Sequence, residues 1–194
     1  MRALPSFGTG GVVLTREDYL DLPEDDENSP DYEIIFGVLD VAPRPRLRHQ
    51  RIAYELGMEL TSHTRATGLG GEVIPDVDLM IDHLHTYVSP DLMYFTAEQV
   101  AELDPDKQIE LMPTLVVEVL SPSTSRRDLI RKRQAYAHAG IRHYWVFDYP
   151  RKRVLELTLQ PSIAEYAERV VRAPEPFRPT LFAGLSIDLV ELFT

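Results

Sequence analysis

Residues 115–120, Leu-Val-Val-Glu-Val-Leu, constrain this chain more than any other stretch. Apolar, largely β-branched runs of this length fill strands that are covered on both faces. Glu118 interrupts the run, and an ionised carboxylate there is costly unless it is paired or coordinates something. Its sequence neighbours are apolar, so the partner has to come from another element. A turn follows at Ser121-Pro122-Ser123-Thr124. Ser125 with Asp128 three residues on forms a variant capping box, and a helix continues through Arg131, Lys132, Ala135, Tyr136 and Ala139 to a stop at Gly140. Tyr144 to Phe147 then makes a second strand. The spacing predicts a strand–helix–strand unit with an acid inside its first strand.

On that helix Asp128, Lys132 and Tyr136 are four apart and share one stripe. Ala135 and Ala139 flank the stripe, which turns it inward and leaves Arg127, Arg131 and Arg133 on the wetter side. Upstream, Ser89-Pro90-Asp91 opens onto the apolar run Leu92-Met93-Tyr94-Phe95. Two acids on neighbouring strands with a lysine close by are the minimum for holding a divalent cation beside an anionic substrate. Carboxylates are hard oxygen ligands, and the cation activates water and offsets phosphoryl charge. The ammonium would orient or deprotonate that water, or neutralise developing charge. Each residue also has a plainer role. Glu118 bonded to amides or to an arginine is a structural acid, Asp91 after a proline caps a turn, and Lys132 with Asp128 makes an exposed helical ion pair.

Pro90-Asp91, then Glu118-Val119-Leu120-Ser121-Pro122-Ser123-Thr124, then Asp128, Lys132, Tyr136, Gly140, Tyr144-Trp145 and Asp148 resemble the Uma family of bacterial proteins. That family belongs to the PD-(D/E)XK restriction-endonuclease-like superfamily. Tyr32-Glu33-Ile34-Ile35-Phe36-Gly37 is similar to its opening strand pair, His49 with Ile52 and Leu56 to its first helix, and Gly184 to Leu189 to its closing segment. The resemblance implies an α/β fold with a restriction-endonuclease-like core, a central mixed β-sheet flanked by helices. It also implies phosphodiester hydrolysis with Mg²⁺ or Mn²⁺, held by Asp91, Glu118 and the backbone carbonyl of Val119. The superfamily lysine stands two residues after the acid, where this chain has Leu120, so Lys132 on the next helix is the implied replacement. Glu33, His49, Asp128 and Tyr136 are auxiliary candidates. Glu33 reads either as an accessory acid or as a hairpin salt bridge. His49 reads either as a satisfied core histidine or as an auxiliary base or phosphate contact. His83 and His85, on a polar loop, read as surface residues.

With 194 residues the chain has length for one domain, 1–194, of which 1–31 would be an N-terminal helix and acidic loop. It has no cysteine, which excludes disulfides and thiolate metal sites and fits the cytoplasm. No stretch approaches the roughly 18 apolar residues of a membrane span. The net charge of −11 disfavours tight non-specific binding of DNA. Basic clusters at Arg44 to Arg51 and Arg126 to Arg133 nevertheless bracket the proposed site in sequence. Two functions follow: an endonuclease acting on nucleic acid, most naturally DNA, or a non-catalytic nucleic-acid- or protein-binding module on the same fold. An exposed edge strand would permit a homodimer.

Further elements are read from periodicity and breakers. They are a helix at 19–22 capped by Thr15, a hairpin about Gly37, a long helix from Leu47 to Thr67 and a strand from Val73 to Ile81. A loop from Asp82 to Ser89, a helix from Ala97 to Leu103 and a polar connection from Asp104 to Pro113 follow. An edge strand from Val154 to Leu159 and one or two short strands complete the chain.

Overall fold

Leu115, Val117 and Val119 face one side of their strand and Val116 the other, and the two helical layers follow from that split. A computed structural model describes residues 12–23, 31–42, 46–120 and 126–194. In chain order the elements are α1 (Arg16–Leu20), β1 (Asp31–Ile35), β2 (Val38–Ala42), α2 (Leu47–Thr67), β3 (Glu72–Pro75), β4 (Leu79–Ile81) and β5 (Thr86–Val88). They continue with β6 (Leu92–Phe95), α3 (Ala97–Val100), β7 (Leu115–Leu120), α4 (Arg126–Ala139), β8 (His143–Asp148), β9 (Arg153–Gln160), β10 (Glu165–Arg172) and α5 (Leu189–Leu192).

Six strands form a large sheet in the order β10-β9-β8-β7-β6-β3. Its β7–β8 pair is parallel and the others are antiparallel, so the sheet is mixed as expected. A strand–helix–strand crossover through α4 is what makes β7 and β8 parallel. Four strands form a small sheet in the order β2-β1-β5-β4. Against one face of the large sheet α2 lays Ile52, Ala53, Leu56 and Leu60 onto Leu92, Leu115, Val117 and Val119, with Phe177, Phe182 and Leu189 closing the layer. Against the other face α4 sets Ala135, Tyr136 and Ala137 onto Met93, Val116 and Val146, and Ile35, Leu79, Ile81 and Val88 of the small sheet join that cluster.

Three expectations change. The run from Val73 to Ile81 is two strands in different sheets, because Asp76 takes a left-handed φ of 50° and breaks the extended path. Aspartate tolerates that conformation better than most residues. The stretch expected to be a loop from Asp82 to Ser89 contains β5, paired with β1 and β4. The strand from Val154 is interior, since β10 pairs along its whole length. The acidic run at 24–30, Arg44 with its flanking prolines, the turn at 121–124 and the Ser125 cap lie outside the described residues.

Candidate active site

The unit that most constrains the sequence also builds the site. In β7 the side chain of Glu118 follows Val116 to the α4 face, where it is 8% exposed. From α4, Lys132 and Tyr136 reach it together, being one turn apart on the same stripe. Lys132 Nζ lies 3.0 Å from Glu118 Oε1, and the Tyr136 hydroxyl donates to the same oxygen at 2.8 Å. Lys132 also reaches the small sheet, with Nζ 2.8 Å from Glu33 Oε1 of β1. Glu33 Oε1 accepts the Ser89 N–H at 3.2 Å.

Asp91 stands immediately before β6. Leu92 pairs with Val117 and Met93 with Val116, so carrying the register one residue further sets Asp91 across from Glu118. Residues directly opposed in an antiparallel pair have Cβ atoms about 4.5–5.5 Å apart. Asp91 Oδ2 accepts the Val119 N–H at 2.6 Å, completing the β6–β7 ladder with a side chain. His49, in the first turn of α2, places Nε2 3.3 Å from the same oxygen. Its Nδ1 is buried without a partner among the described residues.

Charge is unevenly shared here. Burial pushes the Glu118 carboxyl up to about 7; Lys132 opposes this, while Asp91 and Glu33 add to it. Burial likewise raises Glu33, against the pull of Lys132. Burial alone would lower the Lys132 ammonium, but Glu118 and Glu33 together hold it well above the ordinary lysine range. Lys132 is therefore a fixed cation, suited to orienting and neutralising and unsuited to taking a proton. Burial lowers the His49 imidazolium, and Asp91, Glu118 and the Val119 backbone outweigh it, for a net rise.

The structure brings Asp91, Glu118, Lys132, Val119, Glu33, His49 and Tyr136 to one end of β6 and β7. Asp128 lies on α4, but its side chain is outside the described residues. Lys132 is engaged with two acids and, with its side chain 13% exposed, is not a solvent-facing helical pair. Glu33 makes its salt bridge to α4 and not within its hairpin, where the opposed residue is another acid, Asp40. Of the arginines expected on the wetter side, Arg131 is 11% exposed and Arg133 35%, and the side chain of Arg127 lies outside the described residues. Arg131 donates to Asp40 at 3.2 Å and to the Ile35 carbonyl at 2.7 Å, and Arg133 to Glu168 at 2.6 Å. His83 and His85 are exposed. Sequence reasoning missed Ser89 and Asp78, whose side chains are bonded to each other beside Glu33. The tripeptide Ser89-Pro90-Asp91 was the available signal for Ser89.

Among the described residues no group of three or more His, Asp or Glu side chains is arranged to hold a metal ion. A hard divalent ion that keeps several waters needs only one or two carboxylates. Asp91 and Glu118 supply those, and the site holds more acid than one ammonium neutralises, so the donor set fits such an ion.

The fold is that of restriction-endonuclease-like nucleases. A crystal structure of a putative nuclease belonging to DUF820, from Anabaena variabilis, matches it with a TM-score of 0.74 at 19% identity, over 93% of this chain and 97% of that one. The profile of the Uma2 family, described as putative restriction endonuclease, matches residues 16–190, and the chain belongs to that family. None of the curated proteins matches it in sequence.

Proposed function

We propose that this protein is a metal-dependent endonuclease that hydrolyses phosphodiester bonds of nucleic acid, most naturally DNA. The observation that supports this best is the meeting of Asp91 and Glu118, from adjoining strands, with the one ammonium of Lys132. Asp91, Glu118 and the Val119 carbonyl would hold Mg²⁺ or Mn²⁺, which when bound supplies Lewis-acid activation of water and offsets charge on the phosphoryl group. Lys132 would keep a positive charge beside the phosphoryl oxygens. Tyr136 and the Val119 N–H fix one oxygen of each carboxylate, and the second oxygen of each would turn to the ion. His49 braces Asp91 from the other helix. Arg46, Arg48 and Arg51, exposed on the first turns of α2, are the basic groups nearest in sequence to His49 and would meet the phosphate backbone.

The whole chain would act as one unit, because the cluster beneath Glu118 draws on both sheets. No helix among the described residues is long and apolar enough to cross a membrane, and we place the activity in the cytoplasm. A homodimer through the β2 edge, where Val38, Leu39 and Val41 are exposed, would bring two sites to one duplex.

A binding module without turnover is the second reading, favoured by the net charge of −11 and by the internal pairing of Arg131 and Arg133. Plasmid nicking with Mg²⁺ or Mn²⁺ separates the two. The endonuclease reading expects nicking that Glu118→Gln abolishes. Equal nicking by both proteins means a contaminant, and retained binding without nicking supports the module.

A further inference from the structure

The metal pair comes from the large sheet alone, yet the small sheet also sends a carboxylate into the cleft. We infer that Glu33 is the positioning residue for Lys132, anchoring its ammonium when Glu118 is drawn toward a cation. The inference deepens the endonuclease reading and rests on it for the role of Lys132.

Three observations support it. First, Lys132 Nζ is shared between Glu33 Oε1 at 2.8 Å and Glu118 Oε1 at 3.0 Å. Glu118 has two claims on it already, from Lys132 and Tyr136, and a cation would add a third. Second, Glu33 is itself held. Its Oε1 takes the backbone N–H of Ser89, and the Ser89 hydroxyl donates to Asp78. The Tyr19 hydroxyl lies beside Ser89 and Asp78, and its ring stacks on Tyr87 at 5.5 Å. The small sheet thus presents a braced carboxylate and not a loose one.

Third, Glu33 and Asp40 are directly opposed in the β1–β2 hairpin. Like charges in that position destabilise a hairpin unless each has a cation. Successive residues of α4 meet the need: Arg131 takes Asp40 at 3.2 Å and Lys132 takes Glu33. The pairing of two acids with two bases fixes how α4 is rotated against the hairpin. That rotation is what aims Lys132 at the cleft.

The chain has three lysines, Lys107, Lys132 and Lys152, so acylation mapped by mass spectrometry reads Lys132 against two exposed controls. Full-length wild type, Glu33→Ala and Glu33→Gln are compared with and without Mg²⁺, alongside plasmid cleavage kinetics. Glu33→Ala should raise the Lys132 rate about tenfold or more, the scale of one lost charged hydrogen bond, with Lys107 and Lys152 unchanged. Glu33→Gln keeps an acceptor oxygen and should restore part of the protection, less of it once Mg²⁺ is added. Cleavage should lose kcat with KM little changed, because Glu33 acts through Lys132. Unchanged protection in Glu33→Ala overturns the inference, as does a rise in KM at constant kcat. If the alanine variant does not fold, Glu33→Gln decides: Lys132 must react faster than in wild type with Mg²⁺ present, and an equal rate overturns it. If wild type cleaves nothing with either metal, the endonuclease reading fails while the acylation rates still judge the anchor.

Discussion

Glu118 and Glu156 are both acids buried in neighbouring parts of one sheet, 8% and 3% exposed, and their surroundings differ in kind. Glu156 on β9 is fully provided for. One oxygen takes Arg169 at 2.6 Å, and the other takes the N–H and hydroxyl of Thr180 at 2.7 and 2.9 Å. Arg169 is its directly opposed neighbour on β10 and lies over the Phe177 ring at 5.8 Å. Glu118 instead shares its cation with Glu33 and faces Asp91 across the strands. A buried acid with an arginine of its own is a fastener. A buried acid that must share a lysine with another acid keeps a surplus of negative charge, and that surplus can attract an ion. Burial alone does not separate the two; the ratio of acids to cations does.

Four measurements test whether the two acids differ in this way. Glu118→Gln should lower plasmid cleavage at least about 100-fold, the scale of removing one preorganised electrostatic group, while Glu156→Gln leaves kcat near wild type in protein that remains folded. Equal losses would erase the distinction. Urea denaturation should find Glu156→Ala destabilised by about 1–3 kcal/mol, because the Thr180 N–H and hydroxyl lose their acceptor, whereas Arg169, 45% exposed, can turn to water. A cost under about 1 kcal/mol would mean the fastener is idle.

The third measurement uses pH in metal-free buffer. The Glu118 carboxyl is raised from its ordinary 4.5 to about 7 in the folded protein. Below 4.5 it is protonated in both states and costs nothing. As pH climbs to about 7 and beyond, the folded state must ionise a buried acid, so this contribution to stability is lost. Glu118→Gln removes that titration. The variant should therefore gain on wild type between pH 4.5 and pH 7.5 by about 3 kcal/mol, since each tenfold change in proton affinity is worth about 1.4 kcal/mol. A constant difference across that range would show that Glu118 does not carry the surplus. Tyr136→Phe, which removes one donor from Glu118 while keeping the ring against Tyr144, should cost only about 1 kcal/mol in the same assay.

Much of the large sheet was legible because its strands are apolar runs bounded by strong breakers. Glu118 was legible because a charge inside such a run needs an explanation, and Lys132 and Tyr136 because helical spacing put them on one stripe. The same charge-in-a-strand signal at Glu156 was overlooked, since Val154 to Leu159 reads as an edge strand until β10 is known to cover it. Arg131 read as wet because helical spacing cannot foresee that a hairpin 91 positions away supplies its acid. Ser89 escaped for the same reason, being tied to a residue 56 positions upstream. The break at Asp76 was hidden by an alternation of apolar and acidic residues that suits one long strand equally well.

The chain leaves the large sheet for the small one between β3 and β4 and returns between β5 and β6. The two crossings are tied together, Asp76 N–H to the Asp91 carbonyl at 3.3 Å. The point where the two sheets are joined is thus the backbone of Asp91, the same residue whose carboxylate is held by the Val119 N–H and His49.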